Sequence, residues 1–63
     1  MNFIIDKSAE IDEGVVIRNF SSIMKGVKIG KGSVIGNCVT IYEGTVIGEN
    51  VRIDDNQLLV KSL

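Results

Sequence analysis

Asn19, Asn37 and Asp55 recur at one fixed interval, Tyr42 and Glu43 form an adjacent pair, and the single thiol, Cys38, follows Asn37. These side chains have the atoms to grip or attack a substrate, and each also has a plainer use. Side-chain amides and carboxylates repeated at one interval can stack as a polar ladder that satisfies backbone groups at chain bends. That is the expected use of Asn19, Asn37 and Asp55. Glu43 follows Lys25 by the same interval and is expected to pair with it. A thiol attacks as its thiolate, and nothing basic stands beside Cys38. Cys38 is therefore expected as a small buried apolar side chain, stacked on Phe20. With one Cys and no His there is neither an internal disulfide nor a Cys/His ligand set, so no metal is expected.

The elements that would position these residues are written in the isoleucines. Ile occupies positions 5, 11, 17, 23, 29, 35, 41, 47 and 53, and Leu59 continues the register. A helix turns roughly 100° per residue, so a period of six would scatter these side chains around its surface. A strand suits triplets such as "SVI", "VTI", "TVI" and "VKI", whose first and third residues share a face. The third residue after each Ile is Gly14, Gly26, Gly32, Gly44, Asn50 or Asn56, types that accept a left-handed backbone. Phe20 and Cys38 break that rule. Each hexad thus reads as a short strand and a bend, repeated in one phase, which fits a solenoid better than hairpins.

Three hexads make one triangular coil, so the interval that separates Asn19, Asn37 and Asp55 is one full turn. The expected fold is all-β, a parallel β-helix of about three triangular coils over 5–22, 23–40 and 41–58, with 59–63 as a tail, in one domain spanning 1–63. Large Ile columns would fill the core beside a column of small residues, Ala9, Val15, Ser21, Val27, Ser33, Val39, Thr45 and Val51. Met24, Tyr42 and Val60 would form an apolar seam at one corner. Outward residues fall into three rows, and the row with Val16 and Val34 is the expected lateral interface.

Bulk properties narrow the function. A 63-residue chain buries only ~60% of its unfolded surface and usually needs a staple, a metal or a partner. Self-association is expected, with end-to-end stacking through uncapped strand edges. A net charge of -1 with interspersed signs argues against nucleic acid. No apolar run reaches the ~20 residues of a membrane span, and "MNFIIDK" is too short for a signal peptide, so a cytoplasmic location is expected.

The hexads "IGKGSV", "IGNCVT", "IYEGTV", "IGENVR" and "IDEGVV" resemble those of the hexapeptide-repeat, left-handed β-helix proteins. That family implies the left hand, acyl transfer from acetyl-CoA or an acyl carrier protein, homotrimers, and active sites between neighbouring coils. More narrowly, "IRNFSSIMKGVKIGKG" and "NCVTIYEG" are similar to the first coils of bacterial nucleotide-sugar N-acetyltransferases. The resemblance implies acetyl-CoA as co-substrate, with no covalently bound cofactor, and an N- or O-acetyl acceptor on a nucleotide-linked sugar. It offers Asn37 and Glu43 as catalytic candidates and Asn19 and Tyr42 as substrate-binding ones. Two His of that pattern are replaced by Asn19 and Ser22, and the family commonly uses a His as base. The alternative reading is a non-catalytic solenoid that serves structure or oligomerisation.

Overall fold

The computed structural model describes residues 3–59. Their strands are β1 (Ile4–Ile5), β2 (Glu10–Ile11), β3 (Val16–Ile17), β4 (Ser22–Ile23), β5 (Lys28–Ile29), β6 (Val34–Ile35), β7 (Thr40–Ile41), β8 (Val46–Ile47), β9 (Arg52–Ile53) and β10 (Leu58–Leu59). Each regular strand is two residues long rather than the full triplet. The small inward residue that opens each triplet lies at the end of the bend, where the backbone is still turning out of the corner.

Three parallel sheets result: β1-β4-β7-β10 (sheet one), β2-β5-β8 (sheet two) and β3-β6-β9 (sheet three). Every strand pairs with the one three hexads away, as in Ile11↔Ile29 and Ile29↔Ile47. The chain is thus a parallel β-helix of about three turns. Consecutive strands lie in different sheets because a bend follows each strand, and after the first bend at 6–8 every one ends in a left-handed residue, at Gly14, Gly26, Gly32, Gly44, Asn50, Asn56 and also at Phe20 and Cys38. The bends stack into three corners: corner one (6–8, 24–26, 42–44), corner two (12–14, 30–32, 48–50) and corner three (18–20, 36–38, 54–56).

Parallel pairing satisfies the backbone between layers. Glu10 N–H donates to Val27 O at 2.8 Å, Lys28 N–H to Thr45 O at 3.0 Å, and Gly30 N–H to Ile47 O at 2.8 Å. The interior is a prism of Ile columns flanked by small residues. Ile23, Ile29, Ile35, Ile41, Ile47 and Ile53 are buried together with Val27 and Val39, and Ser21, Ser33 and Thr45 are buried in the small column. Large beside small is what lets three narrow sheets close without a void.

The inward serines are stitched into the layer that follows. Ser21 Oγ donates to Gly36 O at 2.7 Å and accepts from Val39 N–H at 3.1 Å. Ser33 Oγ repeats this with Gly48 O at 2.7 Å and Val51 N–H at 3.1 Å. At other bends the same two backbone groups bond each other, as Ser33 N–H to Gly30 O at 3.3 Å and Thr45 N–H to Tyr42 O at 3.2 Å. A serine hydroxyl is therefore inserted into the turn above it. No buried side-chain polar atom lacks a partner among the described residues.

Several expectations are corrected. Cys38 is exposed, not buried, because its left-handed bend directs the side chain away from the prism. Phe20 is 71% exposed and gains little cover from Cys38. Of the two outward valines of sheet three, Val16 is exposed and Val34 half-buried. The seam through Met24 and Tyr42 is incomplete: Tyr42 is exposed, and Val60, like the rest of the tail beyond Leu59, lies outside the described residues.

Candidate functional site

The four side chains singled out in the sequence occupy two corners on either side of sheet one. Asn19 and Asn37 lie on corner three, Tyr42 and Glu43 on corner one, and the outward face of Ile4, Ser22, Thr40 and Leu58 separates them. They do not converge on one point.

On corner three the polar ladder forms, and it is occupied by the backbone. Asn19 N–H donates to Asn37 Oδ1 at 3.0 Å, and Asn37 N–H donates to Asp55 Oδ1 at 2.7 Å. The main chain follows the same step: Cys38 N–H reaches Asn19 O and Asn56 N–H reaches Asn37 O, both at 2.9 Å. Asn37 Nδ2 also approaches Asp55 Oδ1, at 3.5 Å. Asn37 therefore ties its own layer to both neighbours, to the layer of Asn19 through its side chain and to that of Asn56 through its carbonyl. Its Oδ1 is already engaged in accepting a backbone proton, so the ladder is a structural device first.

Corner one is built differently. Asp6 Oδ2 accepts from Ser8 N–H at 2.9 Å and from Ser8 Oγ at 2.6 Å, and Ser8 Oγ in turn accepts from Gly26 N–H at 2.9 Å. These two bonds from Ser8 hold the Asp6 carboxyl below its ordinary pKa, against the opposing cost of desolvation and with a lesser contribution from the Lys25 charge. Gly44 N–H donates to Lys25 O at 3.0 Å, which sets Glu43 one layer above Lys25. Their side chains do not close the expected ion pair; among the described residues the pairs within 4 Å are Lys31–Glu13 (3.5 Å) and Arg52–Asp54 (3.7 Å). Both lysine and glutamate at corner one are exposed, where holding two flexible chains in one geometry gains little.

A groove of about 420 Å³ runs along corner one, lined by Ile4, Asp6, Ser22, Ile23, Met24, Lys25 and Glu43. It combines an apolar floor with two carboxylates and one ammonium. A second groove, about 550 Å³, crosses sheet two past Glu10, Asp12, Lys28 and Gly30. Neither contains Asn19, Asn37 or Tyr42. Among the described residues no cluster of His, Cys, Asp or Glu is arranged to hold a metal ion.

Asp6 and Ser8 were not singled out by sequence, although "DKS" at a bend is a legible signal for a carboxylate capping the residue two positions on. The role of Ser21 and Ser33 was legible only as two hydroxyls in a column otherwise filled by small apolar residues and Thr45. Among known proteins, a family model described as bacterial transferase hexapeptide (six repeats) matches residues 8–43, more than half of the 63-residue chain. No curated protein matches the chain.

Proposed function

Because the chain belongs to the bacterial transferase hexapeptide family, we propose that it forms coils of an acetyl-CoA-dependent acetyltransferase whose acceptor is an amine or hydroxyl on a nucleotide-linked sugar. The observation that supports this reading is Glu43. It stands at the tip of the "IYEG" bend, exposed, on the rim of the corner-one groove. Unlike Asn37, its carboxylate is not used to tie layers together.

Acetyl-CoA supplies an acetyl group activated as a thioester. The protein's part is to hold the acceptor nitrogen or oxygen and to receive its proton. Glu43 is a hydrogen-bond acceptor for an amine N–H or a sugar hydroxyl, and Ile4 and Met24 provide apolar surface for the pyranose ring beside it. A neutral amine brings its own lone pair and needs less help from a base than a hydroxyl does. In a chain without His, this favours N-acetylation over O-acetylation.

The chain alone is expected to transfer no acetyl group above background, so acceptor binding is the direct readout. Calorimetric titration with an amino-sugar nucleotide should show saturable binding that Glu43→Gln weakens about tenfold, the scale of losing one charged hydrogen-bond acceptor. Unchanged binding by Glu43→Gln would remove Glu43 from the site. Saturable acetyl transfer abolished by Asn37→Ala would move the site to corner three. A second reading, a solenoid that serves assembly and binds no sugar, is favoured by the backbone N–H groups that Asn37 Oδ1 and Asp55 Oδ1 already accept. Absence of binding by both parent and variant would select it.

A further inference from the structure

Corner three departs twice from the rule that governs the other left-handed bends. Positive φ falls on four glycines, on Asn50 and Asn56, and on Phe20 (62°) and Cys38 (56°). A Cβ in this region crowds the following carbonyl; Gly avoids the cost and Asn offsets it with a local hydrogen bond. Phe and Cys have neither remedy. They are also not sheltered in return: Phe20 is 71% exposed and Cys38 is exposed. Backbone strain that gains no burial within the chain points to a contact made outside it.

Charge along the same ridge selects the partner. The register Val16↔Val34↔Arg52 places Arg18, Gly36 and Asp54 in one column, and Phe20, Cys38 and Asn56 in a second column two residues on. Arg18 and Asp54 are both exposed, one layer below and one layer above Gly36 and Cys38, and Asp54 meets Arg52 of its own chain only through Oδ1, at 3.7 Å, which leaves Oδ2 for a second cation. Two copies set ridge to ridge and antiparallel, with a twofold axis crossing at the layer of Cys38, bring Arg18 against the partner's Asp54, and the reverse by symmetry. Phe20 then meets the partner's Asn56, and the two Cys38 face each other. A parallel twofold arrangement would instead set Asp55 against the partner's Asp55. Opposite charges in register favour an isologous contact, and like charges oppose it.

We propose that corner three is a self-pairing edge: two copies of this chain join antiparallel along the Phe20–Cys38–Asn56 ridge, fixed by reciprocal Arg18–Asp54 pairs. The contact uses a ridge and leaves the outward faces of the three sheets open, so it adds to any lateral assembly. It does not depend on the acetyl-transfer reading.

Sedimentation at micromolar concentration, together with copper–phenanthroline oxidation of Cys38, tests it. The parent should form a Cys38–Cys38 cross-link between copies. Phe20→Asn places at this bend a residue already used at two others, so the chain should fold. Its assembly mass should fall to half the parent's, and its melting temperature in dilute solution should not decrease. Arg18→Asp and Asp54→Arg should each weaken pairing about tenfold, and the double variant should restore it, because the two charges exchange places. Circular dichroism checks each fold, and Arg18→Gln replaces Arg18→Asp if the latter does not fold. An unchanged mass for Phe20→Asn, no cross-link in the parent, or a double variant weaker than either single one would overturn the proposal.

Discussion

Ser21 shows how much one hydroxyl contributes when it lies between two layers. Its Oγ both donates to Gly36 O and accepts from Val39 N–H in a position only 1% exposed. Ser21→Ala leaves both backbone groups dependent on closing the longer turn bond used elsewhere. The expected loss is about 1–3 kcal/mol, the penalty for unsatisfied buried polar groups. In a domain this small it lowers the melting temperature by roughly 4–8 °C per kcal/mol. A melting temperature within a degree of the parent would show that the turn recloses at no cost. Asp6 gives a prediction in pH. Its folded pKa lies below the ordinary 3.8, so its contribution to stability is present above that value and is lost as pH falls through the folded pKa. The difference in melting temperature between the parent and Asp6→Asn should be constant near neutrality and vanish in acid. A difference that persists at the lowest pH at which the chain folds would assign it to packing.

Strand pairing here is short, and the bends do the specifying. Two-residue strands are well below the usual ~5–6, so register depends on every bend advancing the chain by the same amount. Corner two tests this at Gly30. A Cβ there would lie 2.6 Å from Gly48 C and 2.7 Å from Glu49 N, both backbone atoms of the next layer. At Gly44 a Cβ meets nothing within 4 Å, and only its φ of +75° resists a side chain. Gly44→Ala should cost about 1–2 kcal/mol for the left-handed conformation. Gly30→Ala should cost more, because backbone must move, and its urea midpoint should be clearly the lower of the two. Equal midpoints would contradict the close stacking of corner two.

At the scale of the molecule the core is one prism, with eight buried aliphatic side chains among the described residues and a partly buried fringe. Such a core leaves little margin over the entropy of ordering the chain. Burial is also uneven: Ile5 is 36% exposed, whereas Ile23 above it is 1% exposed. Association should therefore stabilise the fold by mass action, and the melting temperature should rise with protein concentration. Val34→Lys puts a charge on the outward face of sheet three, where Val34 is half-buried, and should flatten that rise if the face is a lateral interface. A concentration-independent melting temperature for the parent would identify a self-sufficient monomer and exclude lateral assembly through this face.

The period of six and the three-hexad register were decided by residue type alone, because an Ile column and a bend-tolerant residue at fixed phase admit only one stacking of short strands. Ile29↔Ile47 pairing, the buried small column and the three sheets follow from that register. The layering of Asn19, Asn37 and Asp55 was equally legible, since equal spacing in a solenoid becomes vertical alignment. Direction and occupancy were not. Cys38 is apolar enough to read as buried, and only the left-handed bend at φ 56° turns it outward. Lys25 and Glu43 share a corner as their spacing requires, but pairing depends on rotamers and solvent, which spacing does not set. The Ser8–Gly26 and Ser21–Val39 bonds join residues whose hydroxyls gain meaning only when the next layer brings an unpaired N–H within 3.1 Å. A repeat sets where each residue stands, and tertiary packing decides which polar groups are left for function.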